Sequence, residues 1–222
     1  MLGAVRGVMV DGWAAVTGFN RLQSSRSRAA LRAGEIRGES GTRRGAVRGG
    51  AGGPVPRSDL AGGVWCDPWT MASDATITFA MDDDAEIGVL SSSVHTSWAR
   101  LRGSTLEDRI RYTPRSSFRT FPWPAGGLSQ VADVSRRLYA CRSEICLERQ
   151  IGLTKLHNQV DDGAWRDLRD LHAELDESVA AAYGWPRAVA HDPDETNRRL
   201  LDLNRAITAG EIAYDPFPLP SR

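Results

Sequence analysis

The alternation of apolar and polar positions divides this chain near residue 73. ATITFAM, residues 75–81, sets Ile77, Phe79 and Met81 against Thr76 and Thr78, the period of a half-buried strand. The acids at 82–84 supply turn and helix-start chemistry. Ile87, Leu90, Val94, Trp98 and Leu101 then recur every three or four residues, which predicts one amphipathic helix over 85–101, ended by Gly103. His95 flanks that stripe, where a histidine is normally a packed residue. Pro114 and the FPWP at 121–124 forbid a long helix and disfavour central strands, so LEDRIRY (106–112) and its surroundings read as short edge strands or loops.

Downstream the period is helical. Val131, Val134, Leu138, Cys141 and Ile145 form one stripe; Gly152 interrupts it, and LTKLHNQV predicts a short turn. Trp165, Leu168, Leu171, Leu175, Val179 and Ala182 line a helix that stops at Gly184-Trp185-Pro186. The last helix has Asp192 as N-cap, Pro193 in its first position and Glu195 placed for a capping box; Leu200, Leu203 and Ile207 face inward, and Gly210 closes it. The expected class is α+β, mostly α. A disordered N-terminal third (1–72) precedes a small strand-helix-loop unit (73–124), a three- to four-helix bundle (125–215) and a tail (216–222). A unit of about 150 residues buries roughly 70% of its unfolded surface, enough for a core.

Composition sets the first third apart. Residues 1–72 hold ten arginines against five acids and fourteen of the 22 glycines, although the whole chain is neutral. Residues 20–63 bury too little apolar surface to offset ordering entropy, so disorder is expected, with a short helical piece near 29–37. Such an arm binds nucleic acid non-specifically, or is read-through from a misplaced start codon. Lys155 is the single lysine. Guanidinium groups favour bidentate phosphate contacts, but a GC-rich coding sequence gives the same bias. Cys66, Cys141 and Cys146, with scattered His95, His157, His172 and His191, lack zinc-site spacing and fit reduced thiols in a cytoplasmic protein. No apolar run is long enough to span a membrane, and Arg6 and Asp11 interrupt what would be a signal peptide's core.

No catalytic constellation emerges. GxxxxGK[ST], a GxGxxG after a strand and a GxSxG turn are all missing. CDPW at 66–69 and YDPFP at 214–218 echo the Asp/Asn-Pro-Pro-aromatic loop of amino-directed DNA methyltransferases, but neither has the second proline beside the first. No catalytic or metal-binding residue is assigned. Binding is the better prospect. Arg109, Arg111, Arg115 and Arg119 recur around Tyr112 and Phe118, and guanidinium groups meet phosphates or guanine edges. Alternatively they pair with Glu107 and Asp108. Phe118, Phe121 and Trp123, interleaved with prolines, are expected to be buried at a seam, at about 1.5–3 kcal/mol each.

Three stretches in order, FAMDDDAEIGVLSSSVHTSWARL, LEDRIRYTPRSSFRTFPWP and GLTKLHNQ…AWRDLRDLHAELDESVAAAYGWP, resemble the C-terminal end of the large MmeI-like adenine DNA methyltransferases. The resemblance rests on Val89, Leu90, Ser91, Ser92, His95 and Trp98, then Arg111, Tyr112, Phe121, Pro122, Trp123 and Pro124, then Leu175, Asp176, Val179, Tyr183 and Gly184, within about residues 74–208. It implies that residues 73–124 close a DNA target-recognition domain and that 125–215 are the helical domain behind it. Residues 1–72 match nothing in that pattern. The family's cofactor glycine motif, catalytic loop and nuclease motif are absent from the chain. It therefore implies a fragment without its catalytic domain, binding double-stranded DNA through Arg109, Arg111, Arg115 and Arg119, with S-adenosylmethionine used only by the intact parent. The alternatives are a helical module docking on a separately encoded methyltransferase subunit, or a gene remnant.

Overall fold

The computed structural model describes residues 7–11, 64–66, 76–79, 81, 83–106, 109–112 and 114–216. Strands β1 (Gly7–Asp11), β2 (Val64–Cys66) and β3 (Thr76–Phe79) form an antiparallel sheet in the order β2-β1-β3. Val8 stands opposite both Trp65 and Phe79. These strands correct the expectation of disorder at 7–11 and 64–66; the rest of residues 1–72 lies outside the described residues. Strands of three and five residues, with partners far along the chain, carry too little alternation to stand out from a Gly/Arg-rich background.

Helix α1 (Asp84–Ser91) starts beneath Asp83, whose carboxylate accepts from the Ala85 amide at 2.7 Å. Asp84 and Glu86 put negative charge in its first turn, where the helix dipole favours it. The stripe expected to be one helix over 85–101 is two. Ser92 is buried and extended (φ −79°, ψ 158°). Its hydroxyl donates to the Val89 carbonyl at 2.7 Å and accepts from the His95 amide at 3.3 Å. One side chain thus closes α1 and opens α2 (Ser93–Arg102). Ile87, Leu90, Val94 and Trp98 keep helical spacing across the break and are all buried, whereas Leu101 is 44% exposed. A hairpin, β4 (Ser104–Leu106) with β5 (Arg109–Arg111), follows.

Four α-helices complete the described chain: α3 (Leu128–Arg149), α4 (Leu153–Asp161), α5 (Arg166–Ala182) and, after a 3₁₀ turn at Arg187–His191, α6 (Pro193–Thr208). LTKLHNQV is the helix α4 rather than a turn; it buries Leu156, His157 and Val160, an amphipathic signal too brief to read from sequence. Helix α6 opens as its sequence indicates, with Asp192 accepting from the Asp194 and Glu195 amides at 3.1 and 3.0 Å and Pro193 in the first turn. The expected capping box does not form, because the Asp192 amide donates to the Val189 carbonyl and Glu195 instead engages Arg198 and Arg199, whose hydrogen bonds hold its pKa down at about 2. Leu200 is buried, and Leu203 and Ile207 are half-buried.

Both halves share one core. Helix α1 packs on α3, α3 on α5, and α2 on α6 and α5. Buried residues from Phe79 to Leu200 form a single cluster. Of the four helices within residues 125–215, α3, α5 and α6 pack against α1 or α2, and α4 packs against α5. The α1–α3 approach depends on Gly88, where a Cβ would lie 2.9 Å from Val131 Cγ1 and 3.1 Å from Ser135 Cβ.

His95 sits at the centre, 4% exposed. Its Nδ1 lies 3.0 Å from the Leu90 carbonyl, which can only accept, so Nδ1 carries the proton. Nε2 then accepts from the Tyr112 hydroxyl at 3.1 Å. Burial lowers the His95 pKa to about 4, the bond to Leu90 opposing it, and pushes that of Tyr112 up.

Two outcomes follow from this packing. Gly88→Val should destabilise the protein by about 1–3 kcal/mol through overpacking, while Gly126→Ala, where a Cβ meets open space, stays within about 0.5 kcal/mol; urea unfolding compares them. His95 takes up its proton near pH 6.5 when unfolded but only near pH 4 when folded. Between those values the unfolded chain holds more protons, so stability is full above the window and falls as pH drops through it, by on the order of 3 kcal/mol. His95→Gln should lose less stability than the parent between about pH 7 and about pH 4. Equal losses would exclude His95 as the source.

Candidate nucleic-acid interface

Arg109 and Arg111 lie on β5, opposite Leu106 and Ser104; their side chains lie outside the described residues. The chain then enters a turn over 114–120. The Phe118 and Arg119 amides both donate to the Pro114 carbonyl, at 3.2 and 2.9 Å, and the Phe121 amide donates to the Phe118 carbonyl at 3.1 Å. The Thr120 hydroxyl donates to the Ser116 carbonyl. Pro114, Ser117 and Phe118 are buried, while Arg115 and Arg119 are exposed. Phe118 stacks on Phe79 with ring centroids 4.7 Å apart and meets Trp123 edge-on at 5.6 Å. The two guanidinium groups therefore project from an anchored backbone.

Most arginines of the helices are already engaged by acids. Arg136 pairs with Asp84 and Asp133, Arg137 with Glu174, Arg187 with Glu177, Arg198 with Glu195 and Asp202, and Arg205 with Asp202. Arg142 is buried over the Tyr139 ring, and Arg102 lies over Trp98. The side chains of Arg115 and Arg119 have no hydrogen bond or ion pair among the described residues. Their sequence neighbours Glu107 and Asp108 lie outside those residues. What remains at this turn is positive charge with donor groups facing solvent.

The aromatic residues do the opposite. Tyr112, Phe118, Phe121 and Trp123 are all buried. Phe121 meets His95 edge-on at 4.9 Å and Trp123 at 5.5 Å, and lies 6.5 Å from Trp98. Residues 121–124 are buried without helix or strand, so their backbone groups need other partners. Side chains beyond α3 provide them. Asn204 Nδ2 donates to the Thr120 carbonyl at 2.7 Å, and the Tyr183 hydroxyl to the Pro122 carbonyl at 2.7 Å. The Tyr214 hydroxyl donates to the Phe121 carbonyl at 3.1 Å and accepts from the Trp123 amide at 2.6 Å. Burial raises the Tyr214 pKa to about 12, the Trp123 bond opposing it. Asp176, 2% exposed on α5, accepts from the Ser93 amide at 2.7 Å and so caps α2 from outside.

Sequence reasoning gave Asn204, Asp176 and Tyr214 no such part. Asp176 and Tyr183 entered only through the resemblance, and Asn204 reads as an ordinary polar position on an amphipathic helix. Among the described residues no three His, Cys, Asp or Glu side chains are grouped to hold a metal, and no helix is long and apolar enough to cross a membrane.

Comparison with known proteins bears on this arrangement. No curated protein matches. A solved structure of the Type IIL restriction-modification enzyme MmeI in complex with DNA matches 92% of this chain with a TM-score of 0.65 at 17% identity, a likeness of fold; the chain spans 22% of that enzyme. The family model of the MmeI target recognition domain matches residues 62–125. That match begins within the 1–72 stretch that the sequence resemblance left out, where β2 is only three residues long. Residues 62–125 are thus similar to the MmeI target recognition domain, and the chain shares its fold with part of an MmeI restriction-modification enzyme.

Proposed function

We propose that this chain is the DNA-recognition and C-terminal piece of a site-specific adenine DNA methyltransferase, of the restriction-modification or a related phage-defence kind, without its catalytic domain. The match of residues 62–125 to a target recognition domain carries the reading. The exposed, unengaged Arg115 and Arg119 on an anchored turn support it. Double-stranded DNA is the partner. Guanidinium groups contact phosphates, which fix register, or guanine edges in the major groove, which select sequence. Arg109 and Arg111 lie on the strand leading into the turn and are proposed as further DNA contacts.

S-adenosylmethionine would supply the methyl group to a flipped adenine in the intact enzyme. The glycine motif that would hold that cofactor is absent from the sequence, and the stretch between β3 and α1, residues 80–83, contains no glycine. No step through the cofactor is assigned to this chain.

A second reading, docking on a separately encoded methyltransferase subunit without DNA contact, has one feature in its favour. Leu147 is 71% exposed on α3, beside a groove of about 460 Å³ also lined by Trp65, Cys146 and Ile151.

The salt dependence of duplex binding separates the two. Four phosphate contacts contribute about −3.6 to the log–log slope of the full chain, beside what the N-terminal arginines add, and Arg115→Ala with Arg119→Ala should reduce its magnitude by about 1.8. Fluorescence anisotropy of a labelled duplex at several salt concentrations measures both. The basic N-terminal stretch is common to parent and variant, so the difference isolates the turn. An unchanged slope would remove this turn from the interface and favour subunit docking.

A further inference from the structure

We infer that Asn204 and Tyr214 are positioning residues for the DNA contact proposed above, holding from the helical side the backbone on which Arg115 and Arg119 are mounted. The inference rests on that DNA-recognition reading. The turn over 114–120 closes on itself at its start, through the Pro114 carbonyl, but ends at Thr120, whose own carbonyl is not taken up within the turn. Asn204, one residue type on α6 that looks solvent-facing in sequence, donates to that carbonyl at 2.7 Å, directly beside Arg119. Tyr214 grips the next two links, the Phe121 carbonyl at 3.1 Å and the Trp123 amide at 2.6 Å. Its hydroxyl acts as donor and acceptor at once. YDPFP at 214–218, an echo of a methyltransferase loop in sequence, thus acquires a different use through its first residue.

Two successive anchors determine where residues 120–123 sit and how they are rotated. Phe118, Phe121 and Trp123 are buried and meet one another edge-on, contacts that neither Asn204 nor Tyr214 makes, so the rings hold the fold while Asn204 and Tyr214 set the register of the turn. Directional contact to a phosphate or base edge needs placement within about 0.5 Å. Loss of either anchor should therefore act on binding through the two arginines.

Asn204→Leu and Tyr214→Phe remove the hydrogen-bonding groups while keeping size and charge. In the full chain, measured with a labelled duplex well below each variant's Tm, either change should weaken binding about tenfold and reduce the salt slope by about 1. Adding Asn204→Leu to the Arg115→Ala/Arg119→Ala variant should cost nothing further, because the asparagine acts through those arginines. An equal further loss in that background would make Asn204 a general folding residue and overturn the inference. So would parental binding by both single variants while the arginine variant is impaired. If the arginine variant itself binds like the parent, the DNA-recognition reading fails and this inference with it.

Discussion

Residues 121–124 are buried yet, like the half-buried Thr120 before them, belong to no helix or strand, and the need to pair the backbone groups of this stretch ties the molecule together. Pro122 and Pro124 bring no N–H of their own, and a helix or ladder through this stretch is excluded. A buried carbonyl left without a partner costs about 1–3 kcal/mol. Asn204 on α6, Tyr183 just after α5 and Tyr214 beyond α6 remove that cost from positions that the chain reaches only much later. The recognition segment is therefore completed by the helices, and neither half has its polar groups satisfied without the other.

The dependence runs in both directions. Asp176 on α5 caps α2, and Tyr139 on α3 shares a hydrogen bond of 2.7 Å with Ser91 at the end of α1. His95 joins the C-terminal end of α1 to Tyr112 and lies against Phe121, so the first half's own polar hub is also part of the seam. Within fourteen residues the chain sorts two chemistries. Rings turn inward, where aromatic pairs add about 0.5–1.5 kcal/mol beyond area burial, and Arg115 and Arg119 turn outward. The same backbone serves as core and as presented surface.

The long helices were legible because their stripes are long: α3, α5 and α6 each repeat their apolar positions over several turns, and Asp192-Pro193 marks a helix start by its own chemistry. The break at Ser92 was not, since the apolar spacing runs through it and only the serine hydroxyl, used twice, reveals it. Strand β1 is five residues whose partners stand more than fifty positions away, a pairing that no local pattern encodes. At the candidate site, the burial of Phe118, Phe121 and Trp123 followed from proline interleaving, and the arginine cluster from composition. The anchoring by Asn204 and Tyr214 did not, because a half-buried amide and a terminal tyrosine announce nothing until the fold sets them beside an unpaired backbone.

Native-state hydrogen exchange tests the central claim most directly, that the 114–123 segment is held as part of the common core. The Phe118, Arg119 and Trp123 amides should exchange with the same free energy as the Leu175 and Val179 amides of α5, through global unfolding alone. Exchange of the first three through a local opening of much lower free energy, with α5 still protected, would contradict it.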